Sequence, residues 1–70
     1  MKVDVNLLRG RIVSEGLTQE QVASKIGMDR STFSRKMRSD ALDFSVKEMH
    51  DMCKILSLSN EEAKNIFLHR

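Results

Sequence analysis

Between Lys25 and Arg38 the chain carries Lys25, Arg30, Arg35, Lys36 and Arg38 against one acid, Asp29, which concentrates a net charge of +4 in fourteen residues. The flanks differ. Residues 1–24 are neutral, with Lys2, Arg9 and Arg11 balanced by Asp4, Glu15 and Glu20, and residues 39–70 are net −2. The placement of charge is therefore more informative than its total of +2, and a dense cationic block suits a polyanion. Ser31 and Ser34 stand among these cations. An arginine can reach guanine O6 and N7 with two parallel hydrogen bonds, while a serine leaves room for close approach, so this mixture fits contact with the edges and backbone of a nucleic acid.

No other residue set points to chemistry. Ser, His and Asp are all present, but without a nucleophile elbow, a glycine-rich phosphate loop or paired carboxylates, so the chain is not expected to be an enzyme or to use a small-molecule substrate or cofactor. His50 and His69 lie nineteen residues apart with no cysteine or carboxylate at metal-ligand spacing, and they are read as exposed histidines rather than ligands. Cys53 is the sole cysteine. It cannot close an intrachain bridge, it reads as a small buried hydrophobe, and it fits a reducing compartment. No apolar run is long enough for a signal peptide or membrane span, so a cytoplasmic protein that does not cross a membrane is expected.

Seventy residues make one domain, 1–70, and a chain of this size buries only about 60% of its unfolded surface. Its core must be thin, and stability has to come from helix packing or a second subunit. The absence of proline and the presence of only three phenylalanines favour an all-α bundle. Three helix starts fit the capping box, in which a hydroxyl and a Glu or Gln three residues later satisfy free amides reciprocally: Thr18 with Gln21, Ser45 with Glu48, and Ser59 with Glu62. The first helix begins at Asp4 or Asn6, buries Leu8 and Ile12, and stops at Gly16. A second runs from Thr18 to Ile26, burying Val22 and Ile26, with Gly27 as its stop. The third runs from Asp29 or Arg30 to Met37 or Arg38, with Phe33 and Met37 as its apolar pair and Asp29 as N-cap; Thr32 is a capping or packing residue. Ser39 to Phe44 form a polar connection. A fourth helix then repeats Val46, Met49, Met52, Cys53 and Leu56 on one face, and a fifth carries Leu58, Ala63, Ile66 and Phe67. The methionines are core filler.

The second and third helices are separated by three residues, Gly27, Met28 and Asp29, a connection too short for antiparallel stacking, so they must cross steeply. Ala23 permits close approach, Gly27 can take positive φ, and Val22, Ile26, Met28 and Phe33 fill the angle. At about 100° per residue, Ser31, Ser34, Arg35 and Arg38 fall on the side of the third helix away from Phe33.

The stretch LTQEQVASKIGMDRSTFSRKMR, Leu17 to Arg38, resembles the helix-turn-helix of the phage repressor and Cro family, the XRE-like regulators. The flanking LLRGRIVSEG and FSVKEMHDMCKILSLSNEEAKNIF resemble that family's first, fourth and fifth helices. The resemblance implies a five-helix lambda-repressor-like domain with its helix-turn-helix at about 18–38, acting as a transcriptional regulator of Cro-like or short phage-repressor type on a pseudo-palindromic operator. Arg30, Ser31, Ser34 and Arg35 are the expected base readers, with Arg35 leading. Gln19, at the family's backbone-clamp position beside the second helix's free amides, is expected to touch phosphate, with Lys25, Lys36, Arg38 and Lys47. Lys36 departs from the family, which keeps a large apolar residue there; Met37 is expected to take over the contact while the Lys36 stem snorkels toward phosphate.

So small a reader is expected to work as a homodimer, through the connection after the third helix, the Leu56 to Ser59 junction, or Phe67 and Leu68. The alternative is a protein-interaction module of antitoxin or antirepressor type on the same fold. RNA binding ranks third, because no aromatic stacking platform is visible.

Overall fold

The computed structural model describes residues 3–38 and 44–67. Of the expected connection Ser39 to Phe44, residues 39–43 lie outside the described residues, as do Leu68 and His69. Five helices and no strands are found among the described residues: α1 Val5–Ser14, α2 Gln19–Lys25, α3 Arg30–Arg38, α4 Val46–Ile55 and α5 Asn60–Phe67.

Each start follows from a short polar side chain placed ahead of an apolar stripe. The Asp4 carboxylate accepts from the Leu7 amide at 3.1 Å and caps α1. All three capping boxes form: the Thr18, Ser45 and Ser59 hydroxyls accept at 3.1 Å from the amides of Gln21, Glu48 and Glu62, whose side chains accept in return at 2.8 to 2.9 Å. At α3 the Asp29 carboxylate accepts from the Ser31 amide at 2.9 Å. These bonds satisfy amides that have no partner within their own helix.

Three helices stop in the same way. Gly16 and Gly27 take φ of 73° and 72° after α1 and α2. In each case the next residue donates across the turn, Leu17 to the Ile12 carbonyl at 3.1 Å and Met28 to the Ala23 carbonyl at 2.8 Å, the pattern of a Schellman cap. The third stop was not legible in the sequence. Ser57, with φ 53°, ends α4, and Leu58 donates to the Cys53 carbonyl at 3.0 Å. Serine there tolerates a left-handed conformation that glycine adopts without strain.

The core consists of Leu8, Ile12, Val22, Ala23, Phe33, Met37, Phe44, Met52, Leu56, Ile66 and Phe67, with no buried polar residue among those described. Helix α2 is the hub, packed on α1, α3 and α4, while α1 also packs on α5. Two polar ties reinforce this: the Asp4 amide donates to the Ile66 carbonyl at 2.8 Å, and Arg11 donates to the Leu56 carbonyl at 2.8 Å while pairing with Glu15 at 3.2 Å and Glu62 at 3.5 Å. Three expectations change. Val46, expected on the core stripe of α4, is 71% exposed. Phe44, assigned by sequence to a polar connection, is buried and its ring lies 5.6 Å from that of Phe33, because a large apolar ring gains from leaving water and from the tilted aromatic pairing. Leu56 and Phe67, which belong to two of the three alternative dimer surfaces, are buried within the chain's own core. Among the described residues, no helix is long and apolar enough to cross a membrane.

Three measurements probe this account. Phe33 is 1% exposed, so Phe33→Ala is expected to cost about 3–5 kcal/mol, a large share of the stability of so small a domain, read from urea unfolding midpoints. A Cβ on Gly27 meets nothing within 4 Å, so Gly27→Ala is penalised by φ alone; it is expected to lower Tm, and Ser57→Gly to raise it, each by several degrees for about 1 kcal/mol.

The third is acid sensitivity. At Glu48 burial pushes the carboxyl up, but the Ser45 amide and the Lys36 ammonium outweigh it, and the net shift is below the ordinary 4.5. The Glu62 carboxyl is lowered chiefly by the Ser59 amide, against a smaller desolvation effect and with help from Arg11. Groups depressed in the folded state contribute stability above their ordinary value and lose it as pH falls through the folded value. Melting temperature is therefore expected to fall as pH drops below about 4.5, and less steeply in the Glu48→Gln/Glu62→Gln variant.

Candidate nucleic-acid interface

Helix α3 is positioned from two sides. Phe33 and Met37, each 1% exposed, anchor one face in the core, where Val22 and Ala23 of α2 and the ring of Phe44 also lie. The turn of Gly27, Met28 and Asp29 sets the α2 to α3 angle, because Met28 is held by its amide to Ala23 and is itself packed against the core. With that face committed, helical phase alone dictates what the opposite face presents.

That face is cationic. Arg30, Ser31, Arg35 and Arg38 are exposed and Ser34 is half-buried, and these five residues together line one open concavity of about 590 Å³. All four expected base readers are thus brought together, with Arg38 beside them. Among the described residues, no carboxylate pairs with Arg30, Arg35 or Arg38. Among the described residues their guanidinium groups form no ion pair, and Ser31 and Ser34 line the same concavity. Chemically the surface can offer bidentate donors and positive potential to an anion or to a base edge. The half-buried Thr32 is kept off this concavity, as expected of a packing residue.

The remaining expected phosphate contacts divide. Gln19 is half-buried at the first position of α2, and Lys25 is exposed in its last turn. Lys47 is a largely exposed side chain paired with Asp51 at 3.0 Å, a surface contact of the kind worth about 0–1 kcal/mol and readily exchanged. Lys36 behaves differently from expectation. Its Nζ donates to Glu48 Oε1 at 2.9 Å and stands 5.7 Å from the centre of the Phe44 ring, so its head is turned toward α4 and away from the concavity. The helical phase explains this, since Lys36 follows Arg35 by one residue and points about 100° away from it. The sequence did show Glu48 as a capping residue; that the same carboxylate receives Lys36, twelve positions earlier, was not visible in any local pattern.

Elsewhere, Val46, Met49, His50, Cys53, Asn60, Ala63, Lys64 and Phe67 line a mainly apolar groove of about 340 Å³ between α4 and α5. Cys53 is half-buried there and burial pushes its thiol up, which makes it less nucleophilic; His50 is exposed. No group of three His, Cys, Asp or Glu residues able to hold a metal ion occurs among the described residues. No protein-family model, curated protein or solved structure matches the chain.

Proposed function

We propose that this chain is a sequence-specific duplex-DNA-binding regulator of the phage repressor and Cro type, with α2 and α3 as the helix-turn-helix of a lambda-repressor-like domain. One observation carries the reading: Ser31, Ser34, Arg35 and Arg38 of the outward side of α3, with Arg30 of its first turn, line a single open concavity, while Phe33 and Met37 are buried. A helix anchored along one side and bearing arginines and small hydroxyls on the other has the width and chemistry to enter a major groove. The resemblance of Leu17 to Arg38 to that family supports the same reading from the residues alone.

In this mechanism α3 lies in the groove. Arg35 donates two bonds to a guanine edge, and Ser31 and Ser34 let the helix approach closely enough for that reach. Arg30, at the first turn, contacts a neighbouring base or its backbone. Gln19 at the start of α2, Lys25 at its end and Arg38 hold flanking phosphates and so set the register, while Lys47 exchanges Asp51 for phosphate. The role is binding, without catalysis or cofactor. Few base contacts per chain give little discrimination, so the reading includes a homodimer on a pseudo-palindromic operator with half-sites about one helical turn apart, in the cytoplasm.

Selection of bound duplexes from a random pool tests the proposal, with a palindromic consensus as the expected outcome. On the selected site, log K is expected to fall against log salt with a slope near −0.9 per phosphate neutralised. Arg35→Ala is expected to cost about 1–3 kcal/mol and to relax choice at one position, and Lys25→Ala to weaken all sequences alike. Failure to bind any duplex at low salt would overturn the reading in favour of a protein partner.

A further inference from the structure

The cationic segment contains five bases, yet the structure does not present them alike. The Lys36 ammonium is enclosed by groups from beyond α3: Glu48 Oε1 at 2.9 Å and the Phe44 ring at 5.7 Å. The same Glu48 oxygen also accepts from the Ser45 amide at 2.8 Å, which holds the carboxylate at the start of α4 whether or not Lys36 is present. The pair is sheltered, with Lys36 and Glu48 side chains 16% and 23% exposed, so water screens it less than a surface pair. Phe44 is in turn buried against Phe33. Ser45, Glu48, Lys36, Phe44 and Phe33 therefore form one connected cluster that ties the last turn of α3 to the first turn of α4.

We propose that Glu48 is a positioning residue for the DNA-reading face: by holding Lys36 against α4 it fixes the far end of α3 and withholds one sequence-independent cation from the duplex. The inference rests on the DNA-binding reading. Its physical content is a division of labour within three consecutive residues. Arg35 faces the groove, Met37 is buried, and Lys36 between them is spent on orientation. A lysine released into the interface would add phosphate attraction to every sequence equally and so erode the ratio of specific to non-specific binding. A helix end held by a charge-assisted bond and a packed ring also keeps Arg35 and Arg38 at a constant height over the groove.

The test compares Lys36→Met, Lys36→Arg, Glu48→Gln and the double variant Lys36→Met/Glu48→Gln in salt-dependent binding to the selected duplex and to a random one. Glutamine serves equally in a capping box, so Glu48→Gln keeps the α4 start. Lys36→Met is expected to leave the salt slope of the native chain unchanged. Glu48→Gln frees Lys36 and is expected to steepen the slope by about 0.9, which is about a threefold greater loss of affinity between 50 and 200 mM salt, and to narrow the gap between specific and random duplex. The double variant is expected to return to the native slope, and Lys36→Arg to match the native chain. A slope shallower by about 0.9 in Lys36→Met would overturn the proposal by making Lys36 a phosphate contact. If the native chain binds no duplex, the functional reading fails on its own. The tie itself is read separately, by Tm in a double-mutant cycle without DNA: non-additive losses at the two positions show that Lys36 and Glu48 hold the end of α3 together, and additive losses overturn the proposal whether or not duplex is bound.

Discussion

Everything about this domain depends on the burial of Phe33 and Met37. These two side chains are the only apolar residues α3 possesses in its body, they are both 1% exposed, and their position four apart gives the helix a single buried edge. A helix with a broad apolar face could rotate by a residue and still bury something; one with so narrow an edge cannot. The burial thus fixes the rotation of α3, and the rotation fixes which polar residues meet solvent. The cationic concavity follows from this constraint and is held against the mutual repulsion of the arginines that line it.

The second constraint is angular. Helices α2 and α3 are joined by a tight turn through a glycine at φ 72° and a methionine whose amide returns to the Ala23 carbonyl. Because α2 also packs on α1 and α4, the angle at this turn is referred to the whole core. The arrangement couples core packing to the placement of α3: a buried side chain such as Val22 of α2 helps determine where Arg35 is held.

Charge is used in two distinct ways. At helix starts, carboxylates and hydroxyls serve the backbone, as at Asp4, Asp29, Glu48 and Glu62, and these groups do not depend on distant parts of the fold. Arg11 and Lys36 instead reach across elements, Arg11 to the Leu56 carbonyl and Glu62, and Lys36 to Glu48. Both reuse a carboxylate that already caps a helix. A carboxylate held by a backbone amide has lost most of its freedom before a cation arrives, so the ion pair orders only one further side chain. Arg30, Arg35 and Arg38 make no such bond among the described residues, and that difference separates the cations that build the domain from those available to a partner.

The helix starts, the stops at Gly16 and Gly27, and the buried pair on α3 were decided by the sequence itself, because each depends on neighbours within four or five positions: a hydroxyl reaches the amide three residues on, and helical phase needs only a count. The outward side of α3, with Ser31, Ser34, Arg35 and Arg38, was legible for the same reason. Tertiary structure decided what depends on contacts between distant segments. Phe44 joins the core because Phe33 offers it a ring to pack on, Leu56 and Phe67 are buried where α4 packs on α2 and α5 on α1, and Lys36 faces Glu48 because the start of α4 lies beside the end of α3. Ser57 shows the boundary between the two. Its left-handed turn is a local conformation, but serine is a residue for which local propensity does not demand it, and only the packing of Leu56 and Leu58 on either side of the turn selects it.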